Sequence, residues 1–187
     1  MPERAALAVV AVAGAGFALS GAAHAVPGTV EYVVAVTVMV SGVALVRRLP
    51  LPAPLAAFGA ASVVLHLAGG LVRVGNDVLY NASAGTEILR YDHLTHAVGI
   101  FVGTWLLWEL LVPSTVVASA RAPLVVLALL AGLRLGAVNE TVEFLVTQAH
   151  GGGHVGGYTN TGWDLVVNSM AGIAAGLLLH RRRSIER

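Results

Sequence analysis

The residues of this chain that can do chemistry lie in three short stretches of its second half. Tyr91-Asp92-His93-Leu94-Thr95-His96 carries a carboxylate and an imidazole four residues apart. Asn139-Glu140-Thr141-Val142-Glu143-Phe144 carries two carboxylates three apart, and Trp163-Asp164-Leu165-Val166-Val167-Asn168 a carboxylate and a carboxamide four apart. Residues at these spacings share one face of a helix. Asp92, His96, Glu140, Asp164 and Asn168 together offer oxygen ligands and one imidazole. That donor set suits Mg²⁺, Mn²⁺ or Ca²⁺, or zinc with mixed ligands. The same group suits acid–base catalysis, with Glu140 or Glu143 as general base, His96 as ligand or acid, and Asn168 orienting a partner. The chain has no cysteine, which excludes thiolate zinc sites and thiol nucleophiles.

These stretches need elements to hold them, and the composition says which. Only 11% of residues are charged and 57% are apolar, with a mean hydropathy of +0.80. A soluble domain carries roughly 25% charged residues. Lipid is therefore the expected solvent. Six apolar runs approach the roughly 20 residues that a helix needs to cross the hydrocarbon core: 5–25, 29–46, 54–74, 92–112, 122–146 and 163–180. Proline and glycine mark the breaks at Pro27-Gly28, at Arg47–Pro54, at Pro113–Pro123 and in the Gly-rich segment 148–162. The expected architecture is all-α: one polytopic membrane domain over 1–187, a bundle of about six transmembrane helices.

The arginines orient it, and there are no lysines. With the N-terminus inside, Arg4, Arg47, Arg48, Arg121, Arg181, Arg182, Arg183 and Arg187 fall on the cytoplasmic side, Arg73 and Arg90 on outer loops, and Arg134 within the fifth span. The positive-inside rule then predicts both termini in the cytoplasm, which an even number of crossings satisfies. Arg4, the apolar run and Ala23-His24-Ala25 also resemble a cleavable secretory signal, whose removal would leave five spans in the same orientation. With this topology most acidic residues gather at the outer side: Glu31, Asp77, Glu87, Asp92, Glu140, Glu143 and Asp164. His24, His93, His96, His150 and His154 join them. Ionisable residues in membrane helices face the bundle interior or a wet cavity and mark function by default. Three consecutive helix ends at similar depth thus predict a shared polar chamber near the outer face.

Plainer readings compete with this one. Asp92 and Asp164 at helix N-termini can be caps. Glu140 and Glu143, at a helix C-terminus where the dipole disfavours them, can pair with Arg73 or Arg90. His93 points to a different face and reads as interfacial. His66 and Arg134 can pair across the core or reach the acidic cluster, and Glu109 can be satisfied by Arg47, Arg48 or Arg121. Gly99/Gly103 and Gly132/Gly136 are small-residue helix contacts, as are Gly172 and Gly176 below Asp164 and Asn168. His150 and His154 sit in a Gly-rich flap or linker. No P-loop, dinucleotide fingerprint or G-x-S-x-G element occurs. The tail Arg181–Arg183 reads as a topology signal touching anionic lipid heads, not as a nucleic-acid patch.

The order Tyr91-Asp92-x-x-x-His96, Glu109, Glu140-x-x-Glu143-Phe144 and Trp163-Asp164 resembles YjdF-like bacterial and archaeal membrane proteins, a family predicted to have six helices. Asp92, His96, Glu140, Asp164, Asn168 and Gly172 also resemble the VanZ-like pattern, which is associated with glycopeptide resistance at the cell envelope. Two departures from that second pattern are His93, where Lys or Arg is usual, and Glu143, where Gln is usual. The leading expectation is a membrane protein whose site opens to the outer side and acts on an envelope lipid or lipid-linked group, with a divalent metal or shared protons. A transporter or ion-binding protein, whose polar path continues through His66, Arg134 and Glu109, and a non-catalytic scaffold are the alternatives.

Overall fold

A computed structural model describes residues 10–17, 19, 51–86, 88–111, 121–150 and 157–185. The described residues are mostly helical, as the composition leads one to expect. Residues 10–17 are helical, in keeping with the first expected span, while the second span, 29–46, lies outside the described residues. The chain divides into two compact units, Met1–Thr95 and His96–Arg187.

The first unit is built on helix α1, Ala53–Leu71. Pro54 pre-sets the helical φ in the first turn, where the missing N–H costs nothing. Val63, Leu67 and Leu71 are buried on one face with Val10, and Phe17 packs against them. The helix stops three residues before the expected end of the third span. Val72 turns extended, and Arg73–Val74 (β1) pairs antiparallel with Asp77–Val78 (β2). Gly75, at a φ of 62°, supplies the left-handed turn residue that a two-residue hairpin loop needs. A 3₁₀ turn, Leu79–Asn81, then lays Tyr80 back on α1. Here glycine is required: a Cβ on Gly69 would run into the Tyr80 ring. The Tyr80 hydroxyl lies 2.7 Å from His66 Nδ1 and donates to the His66 carbonyl at 3.0 Å. Tyr91 donates to the Leu65 carbonyl at 3.0 Å. The hairpin is thereby pinned to the end of α1.

Helix α2, Tyr91–Leu111, corresponds closely to the fourth expected span. Helices α3, Arg121–His150, and α4, Gly157–Ile185, are longer than the fifth and sixth, each running further into the Gly-rich segment. In the second unit α3 and α4 pack along the predicted small-residue stripe. A Cβ on Gly132 would lie 2.6 Å from the Gly172 Cα, and one on Gly136 would lie 2.7 Å from the Asn168 Cβ. Gly176 meets Ala128 and Leu129. Small residues bring helix backbones this close where lipid removes the hydrophobic drive for association. Among the described residues, α1 and the stretch Gly157–Arg182 of α4 are long and apolar enough to cross a membrane by length and composition.

Candidate cation and acid–base site

The lengths of α3 and α4 change how their acidic residues are read. Asp164 lies seven residues into α4, beyond the first turn, so it is not a cap. Glu140 and Glu143 lie two to three turns before the end of α3, out of reach of the helix dipole at that end. Asp92 does sit in the first turn of its helix. It is half-buried and belongs to the first unit.

The second unit gathers His96 from α2, Glu140 and Glu143 from α3, and Asp164 from α4. One ligand atom from each lies within 4.8 Å of all the others. His96 is the hub. Its Nδ1 is 3.3 Å from Glu140 Oε1 and 4.0 Å from Asp164 Oδ1, and its Nε2 is 3.2 Å from Glu143 Oε1. Asp164 is fully buried; the side chains of His96 and Glu140 are 4% and 8% exposed, and that of Glu143 is 24% exposed. Glu143 thus stands at the open edge.

Each carboxylate is also held by an asparagine amide. Asn168 Nδ2 donates to Glu140 Oε1 at 3.1 Å across the α3–α4 contact. Asn160 Nδ2 donates to Asp164 Oδ2 at 2.6 Å, and Asn139 Nδ2 to Glu143 Oε1 at 2.7 Å, both one helical turn apart. An ionised carboxylate only accepts, so an amide N–H suits it. The close seat of Asn168 on Gly136 makes the first of these bonds possible. Asn168 was among the expected ligands. Asn139 and Asn160 were not, although their i, i+4 spacing to Glu143 and Asp164 carries the signal.

The expected arginine partners are elsewhere. Arg73 donates to the Asn76 carbonyl at 2.8 Å and Arg90 to Asn81 Oδ1 at 2.6 Å, both within the first unit. Arg134 is exposed on α3, and His66 Nδ1 lies 2.7 Å from the Tyr80 hydroxyl. Glu109 accepts from the Trp105 indole at 2.8 Å, one turn away in the same helix. His93 is buried, with Nδ1 2.7 Å from the Ile88 carbonyl. Within the second unit Glu140 and Glu143 have imidazole and amide partners.

Two buried oxygens of the Glu140–Asn168 pair lack a donor. Glu140 Oε2 and Asn168 Oδ1 have no hydrogen-bond partner among the described residues. Two unit charges 4 Å apart repel by about 4 kcal/mol at an effective dielectric of 20. Ionised carboxylates this close need positive charge between them, which a protonated His96 or a bound cation would supply. His24 and His154 lie outside the described residues, and neither supports nor weakens this arrangement.

No curated protein and no solved structure matches the chain. One family does, over residues 4–184, under the description "Predicted membrane protein (DUF2238)". This is the YjdF-like family that the motifs resemble, and the match lends nothing to the VanZ-like pattern. Nearly the whole length is covered, and the chain belongs to this family of predicted membrane proteins.

Proposed function

We propose that this chain is a multi-pass membrane protein of about six spans, with both termini cytoplasmic. In this reading His96, Glu140, Glu143 and Asp164 form a cation-dependent acid–base site near the outer face of the bilayer. The arginine distribution supports the orientation. The observation that carries the site is the imidazole of His96, buried and flanked by three carboxylates from two other helices. A divalent cation neutralises the buried charge, and the partly exposed Glu143 exchanges protons with a group arriving from outside. The substrate class that fits a site within an apolar bundle is an envelope lipid or a lipid-linked group.

Transport is the less favoured reading. Directly below the site, α3 and α4 touch backbone to backbone at Gly132 and Gly172, which leaves no room between them for a polar path. The residues expected to continue such a path are engaged otherwise or exposed: Glu109 bonds Trp105, and Arg134 lies on the outside of its helix.

Metal analysis of the purified full chain tests the proposal. Wild type is expected to carry a stoichiometric divalent ion that Glu140→Gln and Asp164→Asn lose. Asp92→Asn, the remaining ligand expected from the sequence, is expected to weaken its binding. A metal-free wild type whose three variants all stay functional in cells would end the reading.

A further inference from the structure

The two nitrogens of His96 face different carboxylates, and this has a consequence for where a cation sits. Nδ1 faces Glu140 and Asp164, the two most buried carboxylates of the group. Nε2 faces Glu143, the exposed one. One imidazole gives one nitrogen to one ion, and a metal-bound histidine almost always donates its other N–H to a carboxylate or carbonyl. Such a partner fixes the tautomer and the ring orientation. Glu143 has the position of that partner. It is itself held by Asn139, so a chain of hydrogen-bonding groups runs Asn139, Glu143, His96.

On the Nδ1 side the ligands are ready. Asn168 donates to Glu140 Oε1, the oxygen 3.3 Å from Nδ1, and Asn160 to Asp164 Oδ2, while Asp164 Oδ1 lies 4.0 Å from Nδ1. The other Glu140 oxygen, Oε2, is buried and without a donor among the described residues. The buried Asn168 Oδ1, likewise unmet, is a further acceptor beside it. We propose that the site holds its cation through His96 Nδ1, Glu140 and Asp164, with Glu143 as a positioning residue on Nε2, and that the cation is a first-row transition ion. This rests on the cation reading above and specifies it.

The choice of ion follows from the donors. Calcium takes six to eight oxygens, often with bidentate carboxylates, and magnesium prefers oxygen and water. Two carboxylates together with an imidazole nitrogen favour zinc, iron or manganese. Two carboxylates also balance the charge of one divalent ion, and three protein ligands leave coordination positions open.

The test is titration of the purified full chain, stripped of metal in detergent, with ZnCl₂, MnCl₂, CaCl₂ and MgCl₂ separately. Wild type is expected to bind a single zinc ion, on the order of a hundredfold more tightly than calcium or magnesium. Glu143→Gln keeps a hydrogen-bond acceptor for Nε2–H, and it is expected to retain the ion with about 10–100-fold weaker binding, the range for a lost outer partner. Asn139→Ala should weaken binding less. Glu140→Gln and Asp164→Asn should abolish it. If those two buried variants fail to fold, Glu143→Gln and Asn139→Ala, at the open edge, still decide. Complete loss of zinc in a folded Glu143→Gln makes Glu143 a ligand and overturns the assignment. Calcium binding as tightly as zinc overturns the choice of ion while the cation reading stands. A wild-type chain that binds none of the four ions overturns the cation reading itself.

Discussion

The two units each bury polar side chains, and they do it in opposite ways. In the first, Tyr80 is seated on Gly69 and bonds His66, Tyr91 bonds the Leu65 carbonyl, and Arg73 and Arg90 bond a carbonyl and a carboxamide close by. Those bonds tie a hairpin to a helix end. In the second, three carboxylates gather around one imidazole, with asparagines as their neutral donors. That arrangement gathers like charge and leaves acceptors unmet. Among the described residues, unmet buried atoms occur in both units, Arg90 Nε in the first among them; what sets the second apart is that its unmet atoms include carboxylate and carboxamide oxygens within one cluster, the kind of atom a cation takes.

Substitutions can break this comparison. The largest effect is expected from Glu140→Gln: cation binding should be lost, while the melting temperature of the metal-free protein should hold or rise as repulsion is relieved. A fall in the metal-free melting temperature with binding intact would make Glu140 a structural residue like Tyr80. Next is Gly136→Ala, read by zinc titration. The added methyl meets Asn168 Cβ at 2.7 Å, displacing the amide that holds Glu140. Zinc affinity should drop about 10–100-fold, as for loss of an outer-shell partner.

The first unit should respond in stability alone. Gly69→Ala forces the Tyr80 ring away and is expected to cost about 1–3 kcal/mol, the range for overpacking, seen as a lower melting temperature in detergent with zinc affinity unchanged. Tyr80→Phe keeps the packing and loses the hydroxyl, at about 1 kcal/mol. A change in zinc affinity with either variant would blur the division between the two regions.

Much of the second unit was legible in the sequence because helical spacing does the placing. Glu140 and Glu143 share a face by i, i+3, and Asp164, Asn168, Gly172 and Gly176 form a single stripe by i, i+4. The Gly132/Gly136 contact follows from the same rule. Helix ends were less legible. Glycine at 157 and 162 reads as a break, yet α4 begins at the first and runs through the second, since glycine lowers helix stability without forbidding it. Two readings depend on those ends: the alternative that Asp164 is a cap, and the dipole argument against Glu140 and Glu143. The hairpin after Leu71 was read as more of the third span because Val72 and Val74 are apolar, and apolar character alone does not separate strand from helix over so short a run. The partners of Arg73 and Arg90 were beyond reach, because carbonyls and amides a few residues away leave no pattern of charge to read.

The account stands on the ability of the buried group in the second unit to hold a cation. Elemental analysis of the wild-type chain, purified without chelator and compared with Glu140→Gln prepared in parallel, tests this most directly. A stoichiometric transition metal in wild type and none in the variant is the predicted result. Equal metal content in the two, or none in either, contradicts it.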